Sequence, residues 1–272
     1  MLEFLLKKGA DPNPQLEGTD ALTFAVLTGN PDIVSIMLRY GARSDSYPLR
    51  DILQASVLYV NPENKMKIAK MLIQNGSYIN KKDDTGATPL DVFCQFINST
   101  EKKAMKILRY LLKTGAPISL RTLTDFNDNA TEECFLFLWE IFKSQSLPSL
   151  EGKERKKALG FILIKAAFQA SLELVKELVE DHGVDVNFTN EGGTVICCSE
   201  GDTVLMALVR RTDRDTNAVV DYLLSQGADV GITNADGDSI REIALGLFVP
   251  IPSAVMELLG EPAEDPMFAE SV

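Results

Sequence analysis

The residues with most to offer a nucleophile, a general base or a soft metal ion are one histidine, His182, and four cysteines, Cys94, Cys134, Cys197 and Cys198. Their spacing serves none of these roles. No two cysteines form a C-x-x-C pair, and none stands at a metal-ligand spacing from His182. His182 lies in Asp181-His182-Gly183, the close of a helix, where an imidazole reads as an exposed group suited to the negative end of the helix dipole rather than as a base. Cys197-Cys198 could support redox or acylation chemistry, but a vicinal pair in a loop reads as incidental. Gly192-Gly193 lacks the following Lys and the strand–helix setting of a phosphate cradle. Lys153-Glu154-Arg155-Lys156-Lys157 could act in nuclear import, yet it reads better as a solvated helix start or a linker. The inventory predicts no enzyme, no metal site and no cofactor.

The bulk composition narrows the remaining classes. A formal charge of −12 and a pI near 4.7 oppose binding to phosphate backbones or anionic membranes, which needs a basic face, and favour a basic partner instead. There is no apolar run of membrane-spanning length, and Met1-Leu2-Glu3-Phe4 lacks the basic-then-apolar order of a signal peptide. Cysteines without a disulfide framework suit a reducing compartment. The expectation is a soluble intracellular protein, in the cytoplasm rather than the nucleus.

Stepping along the chain, the punctuation is clearest in Asn75 to Leu90, NGSYINKKDDTGATPL. Gly76 can take the left-handed conformation that ends a helix, Asp83 to Gly86 make a turn, and Thr88-Pro89-Leu90 open a new helix with a capping hydroxyl and a proline in the first turn. The same helix-ending glycine recurs at Gly9, Gly41, Gly76, Gly115, Gly183 and Gly227, at intervals of 32, 35, 39, 68 and 44. The interval of 68 is near two periods and predicts a degenerate unit between 116 and 182, centred on the helix Glu132 to Phe142. Such spacing marks a solenoid whose units bury their apolar faces only against neighbours.

Asp84-Thr85-Gly86-Ala87-Thr88-Pro89-Leu90, followed by Ile107 to Ala116, resembles the ankyrin repeat. Ile33-Val34, Met37-Leu38 and Gly41-Ala42 are similar, as are Val219-Val220, Leu223-Leu224 and Gly227-Ala228-Asp229. The resemblance implies an all-α solenoid of helix–turn–helix units with β-turn fingers, acting by protein–protein interaction as a scaffold. The units fall at about 1–13 (partial), 14–46, 47–80, 81–118, 119–154 (degenerate), 155–187, 188–231 and 232–259 (a terminal cap), and 260–272 form an acidic flexible tail. Asp20 stands where the family prefers Thr and can still cap its helix. In the third unit the inner helix is expected over Ile52 to Tyr59 and the outer one over Lys67 to Ile73, with Asn61-Pro62-Glu63-Asn64 lengthening the turn. In the sixth, Lys153 to Ala158 leads into an inner helix from Ile162 to Phe168, and in the seventh the stretched finger 187–203 could hold a longer hairpin.

By the same resemblance the partner would dock on finger tips and on the ends of the inner helices. The finger positions are Leu16, Glu17 and Thr19; Lys82, Asp84, Thr85 and Ala87; Ser199, Glu200 and Asp202; and Ala235, Asp236 and Asp238. The helix-end positions are Leu27 and Thr28, Val57 and Leu58, Gln95 and Phe96, Phe168 and Gln169, and Arg210 and Arg211. Phe96 and Phe168 are read either as groove anchors or as core under the longer loops. Arg210 and Arg211 are the candidate electropositive spot, unless Asp213, Asp215 or the finger acids pair with them. A monomer is expected unless the open N-terminal face pairs. The alternative reading is a regulatory fragment of a larger enzyme or receptor.

Overall fold

The computed structural model describes residues 1–16, 19–43, 47–55, 60–97, 103–193, 195, 198–211, 215–247 and 255. Glu17, Gly18, Val57, Leu58, Cys197 and the tail 260–272 lie outside the described residues. The chain divides into two compact units, Met1–Phe142 and Lys143–Val272.

The first unit opens with α1 (Leu2–Lys7) and a two-residue antiparallel hairpin of β1 (Gln15–Leu16) and β2 (Thr19–Asp20). Helix pairs follow: α2 (Ala21–Leu27) with α3 (Pro31–Arg39), α4 (Pro48–Gln54) with α5 (Pro62–Gln74), α6 (Pro89–Phe96) with α7 (Ala104–Lys113), and α8 (Leu120–Thr124) with α9 (Glu132–Gln145). The inner helices pack in series, α2 on α4, α4 on α6 and α6 on α8, while α3 meets α1 and α5. The second unit repeats the scheme with α10 (Gly152–Phe168) and α11 (Leu172–Glu180), α12 (Val204–Val209) and α13 (Asn217–Ser225), and α14 (Ile240–Leu247). Here α10, α12 and α14 form the inner series, and α11 packs on α13.

Local chemistry sets these boundaries. All six glycines that end outer helices have φ between 63° and 96°, conformations that an L side chain visits only at a cost. Asp20 accepts the Thr23 amide at 2.8 Å. Thr88 and Asp91 form a reciprocal capping box at the start of α6. Behind it, the buried Asp91 accepts the Thr122 hydroxyl of α8 at 2.6 Å, so one carboxylate serves its own helix and its neighbour.

Three expected boundaries move. Helix α4 begins at Pro48, four residues before Ile52, because Pro48 is already in its first turn. Helix α5 begins at Pro62: Asn61 accepts the Asn64 amide at 2.9 Å, so the apparent turn is a cap and a first helical residue. Lys153 to Ala158 is the first part of one continuous 17-residue helix, α10, with the basic residues on its solvated start.

Helix α9 carries a cluster of buried aromatic residues. Trp139, Phe135, Leu138 and Phe142 of α9 are buried, Phe126 packs on Phe135 with centroids 5.3 Å apart, and Trp139 stacks beside Phe142. Two lysines are buried as well. Lys65 lies 5.9 Å over the Phe93 ring with its Nζ toward the Leu53 carbonyl, and Lys165 lies 5.9 Å over Phe168. Sequence patterning, which assigns lysine to solvent, does not anticipate either.

Candidate functional site

Three fingers share one frame. The amide of Asp83, Asn190 or Asn234 donates to the carbonyl just before the next helix cap, Ala87 at 2.9 Å, Asp202 at 2.8 Å and Asp238 at 2.9 Å. A second bond runs from Gly86, Gly201 or Gly237 back to the carbonyl of the same leading residue, and each of these glycines has positive φ. The leading side chain then holds the turn from within. Asp83 Oδ1 accepts from the amides of Thr85 and Ala87, and Asn234 Oδ1 accepts from those of Asp236 and Asp238. Burial works against the charge of Asp83, but the Thr85 hydroxyl, these two amides and Arg50 outweigh it and hold the carboxyl below the usual aspartate range.

The seventh finger is this frame with eight more residues inside it. Asn190 is fully buried; its Nδ2 donates to the carbonyls of Val195, Cys198 and Ser199, and its Oδ1 accepts the Val195 amide at 3.0 Å. Where a longer hairpin could have formed, the described residues hold a 3-10 turn at Glu191–Gly193 and one bridge between Thr189 and Thr203. Loop carbonyls converge on one amide because a short excursion cannot pair its own backbone.

The proposed surface positions fall into two groups. In the first unit Leu16 (65%), Leu27 (52%) and Phe96 (42%) are exposed apolar side chains, and Phe24 (45%), unremarked in the sequence, joins them. Thr28, Lys82, Asp84 and Thr85 are exposed, Gln95 and Thr19 are half-buried, and Ala87 is buried. Phe96 is fixed from behind, since Asn127 donates to the carbonyls of Cys94 and Gln95, both at 2.9 Å. Arg121, which the sequence reading did not single out, donates to the Thr85 carbonyl at 2.6 Å and ion-pairs with Asp125 at 2.9 Å.

In the second unit Glu200, Ala235 and Asp236 are exposed, while Ser199 and Asp238 are half-buried. Phe168, Gln169, Asp202 and Arg211 are buried: Phe168 takes the core alternative, and Gln169, Asp202 and Arg211 are not presented surface. The reason is cationic. The Arg211 guanidinium carbon sits 4.8 Å over the Phe168 ring and Lys165 approaches the same ring, so the aromatic residue supports buried cations. Arg210 is also not a free positive spot: its Nε meets Asp202 Oδ2 at 2.7 Å. His182 is half-buried, with Nε2 3.7 Å from Glu177 Oε1, an oxygen that also meets Lys143 at 3.0 Å. Among the described residues no group of three or more His, Cys, Asp and Glu could hold a metal ion, and no helix is long and apolar enough to cross a membrane.

Paired helices, left-handed glycines closing the outer ones and Asx-closed fingers define a helix-pair repeat protein. Comparison with known proteins places it more narrowly. Residues 1–83 match the ankyrin-repeat family model with three copies. The human ASB11 ankyrin repeat domain superimposes with a TM-score of 0.54 at 20% identity, covering 90% of this chain and 98% of that one. Alpha-latrocrustotoxin-Lt1a of Latrodectus tredecimguttatus is 30% identical over 93 residues, 34% of this chain; the chain spans 6% of that protein's length. The chain has the ankyrin-repeat fold, and its first 83 residues match the model of that family. Ankyrin repeats are in general protein-interaction modules and typically non-catalytic.

Proposed function

We propose that this chain is a non-catalytic scaffold that binds a protein partner through the ends of its inner helices and its fingers. The observation that carries this reading is the exposure of Leu27 and Phe96 at the C-terminal ends of α2 and α6, two helices of one inner series that both pack on α4. Exposed aromatic and aliphatic groups on a rigid frame are the usual anchors of an interface. Lys82, Asp84 and Thr85 on the adjoining finger supply the polar rim. Binding is an equilibrium docking without covalent chemistry, and the acidic charge of the chain favours a partner with basic character.

The test is affinity capture with the native chain beside a Leu27→Glu, Phe96→Glu double variant, both checked by circular dichroism and thermal melting. Proteins retained by the native chain and lost from the folded variant support the reading. Identical captured sets from two folded baits overturn it.

A further inference from the structure

We propose that the outer face of α5 and α7 in the first unit is a second docking surface, for an acidic segment of a partner protein that carries apolar side chains among its carboxylates. The chain as a whole holds 39 acidic residues against 27 basic ones. On this face the balance reverses. Lys67 and Lys70 of α5, Lys103 at the cap of α7, and Lys106, Arg109 and Lys113 of α7 all reach solvent, and the two helices contain one acid, Glu63. Their spacing of three or four residues sets each row along one side of its helix. Acids return on the flanking outer helices, with Asp32 on α3 and Glu132, Glu133 and Glu140 on α9, so the positive face has edges.

Contacts between the helices join the two rows into one surface. Lys103 Nζ donates to Glu63 across the pair. That bond, the charge of Lys103 and the weaker fields of Lys67 and Lys106 hold the Glu63 carboxyl below the usual glutamate range. One acid cannot neutralise so many bases, and among the described residues Lys67, Lys106 and Lys113 make no ion pair. Aromatic rings steady two of the others: Lys70 Nζ lies 5.3 Å over Tyr110, and the Arg109 guanidinium carbon lies 4.5 Å over Phe137. Cations ordered in this way lose less freedom when a partner arrives. On the same helices Met66, Met105, Tyr110 and Leu112 are half-buried, and methionine adapts its shape to an apolar neighbour. Cations with apolar ground beside them complement carboxylates interleaved with leucine or phenylalanine. A nucleic-acid backbone brings charge without that apolar content, and the net charge of −12 opposes it.

The test is fluorescence anisotropy with the full chain and a labelled peptide, acetyl-Glu-Glu-Leu-Glu-Asp-Phe-Leu-Glu-Asp-Leu-Glu-Glu amide. Two probes of equal charge accompany it: the same peptide with serine for each leucine and phenylalanine, and a single-stranded oligothymidylate. Saturation below about 1 mM, at least about tenfold tighter than either control probe and weakened at least about tenfold in the Lys67→Glu, Lys106→Glu double variant, upholds the surface. Lys153→Glu with Lys156→Glu changes the net charge equally on the exposed start of α10 and should leave the affinity unchanged. No saturation by about 1 mM, binding of either control probe as tight as that of the peptide, or equal weakening by the two double variants overturns it. Lys67 and Lys106 are exposed, and Lys67→Ala with Lys106→Ala repeats the comparison without new negative charge. Leu27 and Phe96 lie on other helices, α2 and α6, so this outcome is separate from that of the capture experiment.

Discussion

Asp202 and Asn234 join two successive fingers through a buried contact: Asn234 Nδ2 donates to Asp202 Oδ1 at 3.0 Å, while Oδ2 of the same carboxylate meets Arg210 at 2.7 Å and the Ser199 amide at 2.8 Å. Asp202 has no exposed surface. One acid therefore ties a finger to the helix it introduces and to the next repeat.

Removing that acid strands an arginine, an amide and an asparagine. Asp202→Ala is expected to lower stability by about 3–5 kcal/mol, as when one partner of a buried charge pair is deleted. Urea denaturation measures it, and the loss from Asp202→Ala combined with Arg210→Ala should be smaller than the sum of the single losses. Additive losses would mean that the pair is not coupled.

Gly160 lies within α10, where alanine ordinarily gains up to about 1 kcal/mol. A Cβ there would stand 2.4 Å from the ring of Phe188, which packs edge-on against Phe161 at 5.3 Å. Gly160→Ala is expected to destabilise by about 1–3 kcal/mol despite the helical gain. Phe188→Leu in the same chain should recover part of it; a stabilised Gly160→Ala chain would show that the ring moves freely.

Ala170 is the only non-glycine with positive φ among the described residues, at 57°, in the turn between α10 and α11. The corresponding turn between α2 and α3 uses Gly29. Ala170→Gly is expected to raise stability by about 0.5–1 kcal/mol, relief of the left-handed strain exceeding the added freedom of the unfolded chain. A lower melting temperature would contradict this.

Burial, then the hydrogen bond and the negative charge of Glu180, push the Tyr222 hydroxyl up to about 12. The bond runs from the phenol to Glu180 Oε1 at 2.9 Å. A phenol harder to ionise in the folded state contributes stability present below the unfolded value near 10 and lost as pH rises toward 12. In an ultraviolet titration of the six tyrosines, Tyr222→Phe should remove a late-ionising component and Glu180→Gln should move it to lower pH. Loss of an early component instead would refute the assignment.

The sequence made the repeat legible because its signals are local. Left-handed glycines, Asp20 and the Thr88 cap each act within four residues, and the φ values and hydrogen bonds agree with them. The start of α5 was hidden because Asn and Pro begin helices and make turns alike, and only the Asn64 amide on Asn61 separates the two. The placement of Phe168 and Arg211 depends on a cation over a ring from the next repeat, forty-three residues away in the chain, which no periodicity encodes. Asn190 could have been found: it precedes its helix cap as Asp83 and Asn234 precede theirs, once the extra residues are set aside.

Those extra residues bear on how such a chain can change. In the seventh finger the bonds from Asn190 to Asp202 and from Gly201 to Asn190 match those of fingers with no insertion, and Gly201 still approaches the backbone of Ala235 so closely that a Cβ would lie 2.6 Å from its nitrogen. The frame is thus a socket, indifferent to the length of what it encloses so long as an Asx leads and a glycine closes. New recognition loops can be exchanged there by inheritance or by design, while the seam between neighbouring repeats keeps its register.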